Sequence, residues 1–181
     1  MPDNAALSIF SQPLAIAIGV GSSAASIVTL RTDPRRTQMK DVQPGYEGVI
    51  EQLERWTGAL MAGDFDQLEH ILTDDFQFTV DPKFAGGRMN KARFIALDRR
   101  IKRCSIRFLG ITVRGMGSMA TSLAFAEVHE EFSGDLGPGM PSAAEMAATM
   151  NGARIAYGSG WRRGADGPWQ CFSHHIFGFL D

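Results

Sequence analysis

Four histidines occur in this 181-residue chain. Three of them, His129, His174 and His175, fall in stretches where apolar and polar residues alternate. Imidazole is the side chain best suited to move protons near neutrality. Alternation implies strands, and neighbouring strand residues face opposite ways, so His174 and His175 cannot easily serve one site. That separation argues against a metal cluster, and no metal is expected. Cys104 and Cys171 lie far apart without a CxxC pair, so neither a zinc site nor a disulfide framework is signalled. Among the carboxylates, Asp81 stands before Pro82 at the end of a strand-like run. From its neighbours alone it reads as turn chemistry. Glu130-Glu131 and Asp74-Asp75 read as solvated or capping carboxylates at element ends. The glycines of 134–139 lack the Lys-Ser/Thr that holds phosphate and metal, and no nucleophile elbow appears.

The elements that would position these groups follow from periodicity. From Glu47, Val49, Leu53, Trp56 and Leu60 recur every three or four residues and make one helical stripe, which Gly63 stops. Asp64 with Gln67 starts a second, short helix through Phe65, Leu68, Ile71 and Leu72. Phe76, Phe78 and Val80 alternate with Gln77 and Thr79 as a half-buried strand ended by Pro82. Asn90 caps a third helix with Phe94, Ile95, Leu97 and Ile101 on its buried side. Alternating runs then follow at about 104 to 114, 118 to 132, 153 to 163 and 168 to 179, an antiparallel sheet with turns at 115–117 and 164–168. The insertion from Gly134 to Gly152 carries a capping box, Ser142 and Glu145, ahead of Met146 and Met150. It reads as a lid, an interface helix or a helical loop that covers a sheet edge.

With 44% hydrophobic and 21% charged residues, the chain can fold around one core. A net charge of −2 offers no general attraction to nucleic acid or anionic membranes, and neither is expected as a partner. The cluster Arg99, Arg100, Lys102, Arg103 and Arg107 reads mostly as a solvated helix C-terminus. Residues 1–44 are expected to be a poorly ordered extension, with the domain over 45–181. Leu14 to Leu30 is apolar but carries Ser22, Ser23, Ser26 and Thr29 and is short for a membrane span, and no Lys or Arg precedes it as in a secretory signal. Met39 opens an alternative start, and a cytoplasmic location is the default expectation.

The stretches Arg55-Trp56, Ala62-Gly63-Asp64, Asp74-Asp75-Phe76 and Val80-Asp81-Pro82 fall in a recognisable order. So does the ending Gly160-Trp161-Arg162-Arg163, Asp166-Gly167, Trp169-Gln170 and His174-His175. Over residues 47 to 179 the chain resembles the nuclear-transport-factor-2-like (NTF2-like, SnoaL-like) superfamily, which includes ketosteroid isomerases. The resemblance implies an α+β, cone-shaped fold with N-terminal helices packed on a strongly curved, mostly antiparallel sheet that encloses a pocket. It does not select a reaction, because the superfamily holds isomerases, dehydratases, cyclases and association modules.

In similar isomerases the Asp of an Asp-Pro step like Asp81-Pro82 is the general base. Trp56 stands where those enzymes carry a tyrosine and Ser159 near their neutral aspartate, so their mechanism does not transfer whole. The resemblance turns Phe172, His174 and Ile176 toward the cavity. His129 shares a strand face with Leu123, Phe125 and Glu127, and Tyr157 shares one with Ile155, Ser159 and Trp161. The expected acid/base residues are therefore Asp81, His174 and His129. The expected ligand contacts are Trp56, Phe78, Glu127, Tyr157, Ser159, Trp161 and Phe172, around a small apolar or aromatic molecule with no cofactor. The opposite face, Cys171, His175, Phe177 and Phe179, is expected to meet a second copy in a homodimer. A non-catalytic ligand-binding or dimerisation module is the alternative.

Overall fold

The computed structural model describes residues 39–80 and 87–180. Spacing by three and four puts Val49, Leu53, Trp56 and Ala59 on the buried stripe of α1 (Glu47–Ala62). Gly63 ends it at φ 68°, a left-handed conformation that glycine takes without a Cβ penalty. The Gln67 N–H donates to Asp64 Oδ1 at 3.0 Å and starts α2 (Phe65–Ile71), which runs straight into β2 (Leu72–Val80). After β3 (Arg88–Asn90), the Arg93 N–H donates to Asn90 Oδ1 and starts α3 (Lys91–Asp98). The strands β4 (Ile101–Met116) and β5 (Met119–Phe132) precede α4 (Ala143–Met150), whose N-terminus carries the Ser142–Glu145 capping box. The chain ends with β6 (Ala153–Arg162) and β7 (Gln170–Leu180).

A further strand, β1 (Met39–Val42), pairs parallel with β4 and lies inside the stretch expected to be loose extension. The side chain of Gln43 continues this ladder, donating to Gly115 O and accepting from Gly115 N–H, both at 3.1 Å. Gly115 has no side chain because the Tyr46 ring lies there, 2.1 Å from where a Cβ would sit. β1 is not foreseeable from periodicity, since four residues are too few for an alternation to register. Ile101, expected on the buried side of α3, opens β4 instead, and Lys102 and Arg103 lie on that strand rather than at the helix end.

The sheet order is β1-β4-β5-β6-β7-β2-β3, antiparallel except for the β1–β4 and β2–β7 pairs. On β5 the inward residues are Ala120, Ser122, Ala124, Ala126 and Val128, all buried. They are small because their neighbours are large. Tyr157 of β6 pairs with Ala124 and Ile155 with Ala126, while Ile111 and Phe108 of β4 oppose the same two alanines. Leu123, Glu127 and His129 consequently lie on the outer face.

β7 carries two interruptions of its ladder with β6. Gly160 pairs with Ser173 and Trp161 with Cys171, which leaves Phe172 unpaired, and Ala156 pairs with Gly178 and Tyr157 with Ile176, which leaves Phe177 unpaired. Each extra residue reverses the alternation beyond it. His174 and Ile176 face inward, as do Cys171 and Phe179 from beyond the two bulges, while Phe172, His175 and Phe177 stay outside. Gly158 and Gly160 of β6 let the Phe177 and Phe172 rings lie on the strand, because a Cβ would stand 2.9 and 2.6 Å from them. Two residues of the expected dimer face, Cys171 and Phe179, thus belong to the interior.

Candidate functional site

A cavity of about 370 Å³ lies between the inner face of the sheet and helices α1, α3 and α4. That is the lower end of the range for small-molecule sites. Its wall is overwhelmingly apolar, and among the described residues its polar side chains are Thr57, Asp98, Glu130, Thr149, Tyr157 and His174. The two threonines are occupied within their own helices, Thr57 donating to Leu53 O and Glu54 O and Thr149 to Glu145 O. Two carboxyls, a phenol and an imidazole remain.

His174 sits in an aromatic box. Its ring centroid is 4.9 Å from that of Tyr157, 5.0 Å from Trp56 and 5.8 Å from Phe78, the last stacked at 20°. Ser159 Oγ lies 2.9 Å from His174 Nδ1 and fixes the ring, with the direction of the bond set by the tautomer. Burial, with a smaller contribution from neighbouring His175, pushes the His174 pKa down to about 3, so the ring is neutral across the physiological range. Burial likewise raises the Tyr157 phenol above its ordinary value, which keeps it a hydrogen-bond donor.

The carboxyls are Asp98, the last residue of α3, and Glu130 on β5. Asp98 is 6% exposed and its Oδ2 has no hydrogen-bond partner among the described residues. Desolvation first and the charge of Glu130 second hold its pKa well above the usual carboxylate range. The carbonyl end of α3 opposes ionisation in the same sense. Burial raises Glu130 to about 7, against a weak opposing contact from the Cys104 thiol, 3.8 Å from Oε1. No lysine or arginine among the described residues lines the cavity. The charge of Glu130 acts on Asp98 in a low-dielectric space, the condition under which a carboxyl retains its proton.

Glu130 read as a solvated residue in the sequence because Glu131 beside it fits that role equally well. The discriminating signal was present: the stripe of alternate small residues from Ala120 to Val128 continues to Glu130 on the same face. Asp98 gave none, since a carboxylate at a helix C-terminus looks unremarkable until the cavity beside it is known.

The expected site residues divide. Trp56, Phe78 and Tyr157 line the cavity together with His174. Ser159 is buried behind the wall and touches His174 rather than the cavity. Trp161 is not a wall residue. It is wholly buried in the core, T-shaped against Trp56 at 6.3 Å, with its Nε1–H donating to Ser122 Oγ at 2.9 Å. Phe172 is turned outward by the bulge and lies under the Arg162 guanidinium at 5.9 Å. Glu127 and His129 are also outside, on the face opposite the alanines. Glu127 pairs with Arg107 at 2.8 Å, and His129 Nδ1 contacts Asn151 Oδ1 at 2.8 Å. His129 therefore cannot act in the cavity. Asp81 lies outside the described residues. Val80, immediately before it, is part of the wall.

The 134–152 insertion contributes to the site, with Met140, Pro141, Met146 and Met150 forming its methionine-rich side. Unbranched thioether side chains adapt to varied ligand shapes. Among the described residues no three His, Cys, Asp or Glu side chains are grouped to hold a metal ion, and no helix is long and apolar enough to cross a membrane.

No family model matches the chain, and no curated protein matches it in sequence. Solved structures do. An NTF2-like protein from Cytophaga hutchinsonii aligns at TM-score 0.58 with 15% identity, over 74% of this chain and 98% of that one. A candidate dehydratase of the NTF2-like family from Streptomyces avermitilis aligns at 0.54 with 16% identity, over 72% and 92%. A candidate calcium/calmodulin-dependent kinase II association domain from Exiguobacterium sibiricum aligns at 0.59 with 15% identity, over 77% and 95%. At these identities the likeness is one of fold.

Proposed function

We propose that this chain, which has the NTF2-like fold, binds a small, predominantly apolar or aromatic molecule in the cavity and acts on it by proton transfer, without a cofactor, as an isomerase or a dehydratase-type lyase. The observation that carries this reading is the convergence of Asp98 and Glu130, from two different elements, in an apolar cavity that has no cationic side chain among its described residues. Glu130, raised to about 7, supplies a base near working pH, and Asp98, kept protonated by burial and by the charge of Glu130, supplies an acid. Tyr157 and neutral His174 offer hydrogen bonds to an oxygen that gains charge in the reaction. Asp81, next to the wall residue Val80, is a further candidate base.

The test is a substrate screen over enolisable ketones and β-hydroxy carbonyl compounds, followed by Asp98→Asn and Glu130→Gln. Each substitution should lower kcat by about 10²-fold or more while ligand-induced thermal shifts persist, since acid/base catalysis is typically worth about 10²–10⁴-fold. Unchanged turnover in both variants would overturn the assignment. The likeness to an association domain supports a second reading, a binding module without chemistry. In that case ligand shifts appear with no turnover in the unmodified chain.

A further inference from the structure

The cavity leaves one polar atom unexplained. Asp98 Oδ2 is buried against it without a hydrogen-bond partner among the described residues, and a buried acceptor left so is destabilising unless something donates to it. Half-buried Glu130 also lines the cavity, and its side chain meets the Cys104 thiol, a weak donor, at 3.8 Å. The missing complement is a group that donates hydrogen bonds and tolerates two acidic neighbours.

We propose that the ligand is a hydrophobic amine whose ammonium head is held by Asp98, which leaves Glu130 free as the acid or base, while its apolar body lies against the aromatic wall. The inference rests on reading the cavity as the ligand site and adds the chemistry of the head group. A carboxylate or phosphate head would bring a third acidic group beside Asp98 and Glu130, with no Lys or Arg among the described lining to offset it. A neutral hydroxyl supplies one donor and no countercharge. An ammonium supplies three N–H donors and the positive charge that lets a buried carboxylate ionise, and charge-assisted bonds are roughly twice as strong as neutral ones.

The proton balance is definite. At pH 7.5 an alkylamine arrives as R–NH3+, and Asp98, held protonated by burial and by the charge of Glu130, ionises to meet it, giving R–NH3+ beside the Asp98 carboxylate and the Asp98 proton released to buffer. The amine should therefore bind with net proton release and more tightly as pH rises from 5.5 to 8.

The probes are 4-phenylbutylamine, 4-phenylbutanol and 4-phenylbutyrate, which share one apolar body and differ in the head. Isothermal titration of the full chain at pH 7.5, in phosphate and in Tris, should show the amine binding about tenfold or more tightly than the alcohol, with proton release for the amine alone. The butyrate should not bind. In the Asp98→Asn/Glu130→Gln double variant the amine's advantage should vanish while the alcohol's affinity stays. Alcohol and amine binding equally to the unmodified chain, without proton release, would overturn the head-group assignment and leave the cavity reading intact. Failure of all three probes to bind would overturn both.

Discussion

Ser159 Oγ meets His174 Nδ1 at 2.9 Å across the β6–β7 pair, which fixes the imidazole among Tyr157, Trp56 and Phe78. Its folded pKa of about 3 lies below the unfolded 6.5. The unfolded chain therefore binds a proton first as pH falls. The contribution of neutral His174 to stability is complete above about 6.5 and is lost between there and about 3, at roughly 1.4 kcal/mol per unit. Two measurements check this. The His174 ring resonances should not titrate between pH 5 and 8, and His174→Gln should flatten the fall in Tm between pH 6.5 and 4.

Glu130 works in the opposite sense. Its folded pKa of about 7 lies above the ordinary 4.5, so its contribution is complete below 4.5 and is lost as pH rises through 7. Asp98, raised for the same reason, adds to the loss. Glu130→Gln should accordingly raise stability at pH 8 by roughly 1–3 kcal/mol and leave it unchanged near pH 4.5. Urea denaturation at the two pH values checks it, and an equal effect at both would show that the carboxylate is not desolvated.

A chain beginning at Met39 should keep the Tm of the full chain. One beginning at Gly45 should lose several degrees, because it forfeits β1 and the Gln43–Gly115 pair. Gly115→Ala should be worse still, by about 1–3 kcal/mol or more, since the Tyr46 ring fills the position of the new methyl group. Thermal melts of the three proteins decide the matter. No loss on starting at Gly45 would show that β1 is dispensable.

The outer face of the sheet exposes Phe177 by 53% and Leu123 and Leu180 by 40% each. Apolar groups gathered on one sheet face are a candidate self-association surface. Sedimentation at micromolar concentration should give twice the chain mass, and Phe177→Glu should shift it to the monomer. A monomeric unmodified chain would refute a homodimer on this face.

Local physics made much of the fold legible in the sequence. The α1 stripe, the glycine stop at Gly63, the caps at Asp64, Asn90 and Ser142 and the alternation of the long strands all depend on residues within a few positions of one another. They gave the element order with only β1 and β3 missing. The resemblance built on those elements led to the NTF2-like fold and to Trp56, Phe78, Tyr157 and His174 around one cavity. What tertiary structure alone decided is which face of each strand looks inward. On β5 the small residues are inside because large side chains from β4 and β6 meet over them, which sends Glu127 and His129 outward and Glu130 inward. On β7 two unpaired residues reverse the alternation, taking Phe172 out of the site and bringing Cys171 and Phe179 in. A strand's period of two defines a pair of faces but cannot say which is buried, because that depends on the volumes packed against each face by segments far away in the chain. The meeting of Asp98 and Glu130 follows from the same packing: the stripe of small residues on β5 points to the face of Glu130, but nothing beside Asp98 in sequence announces its partner.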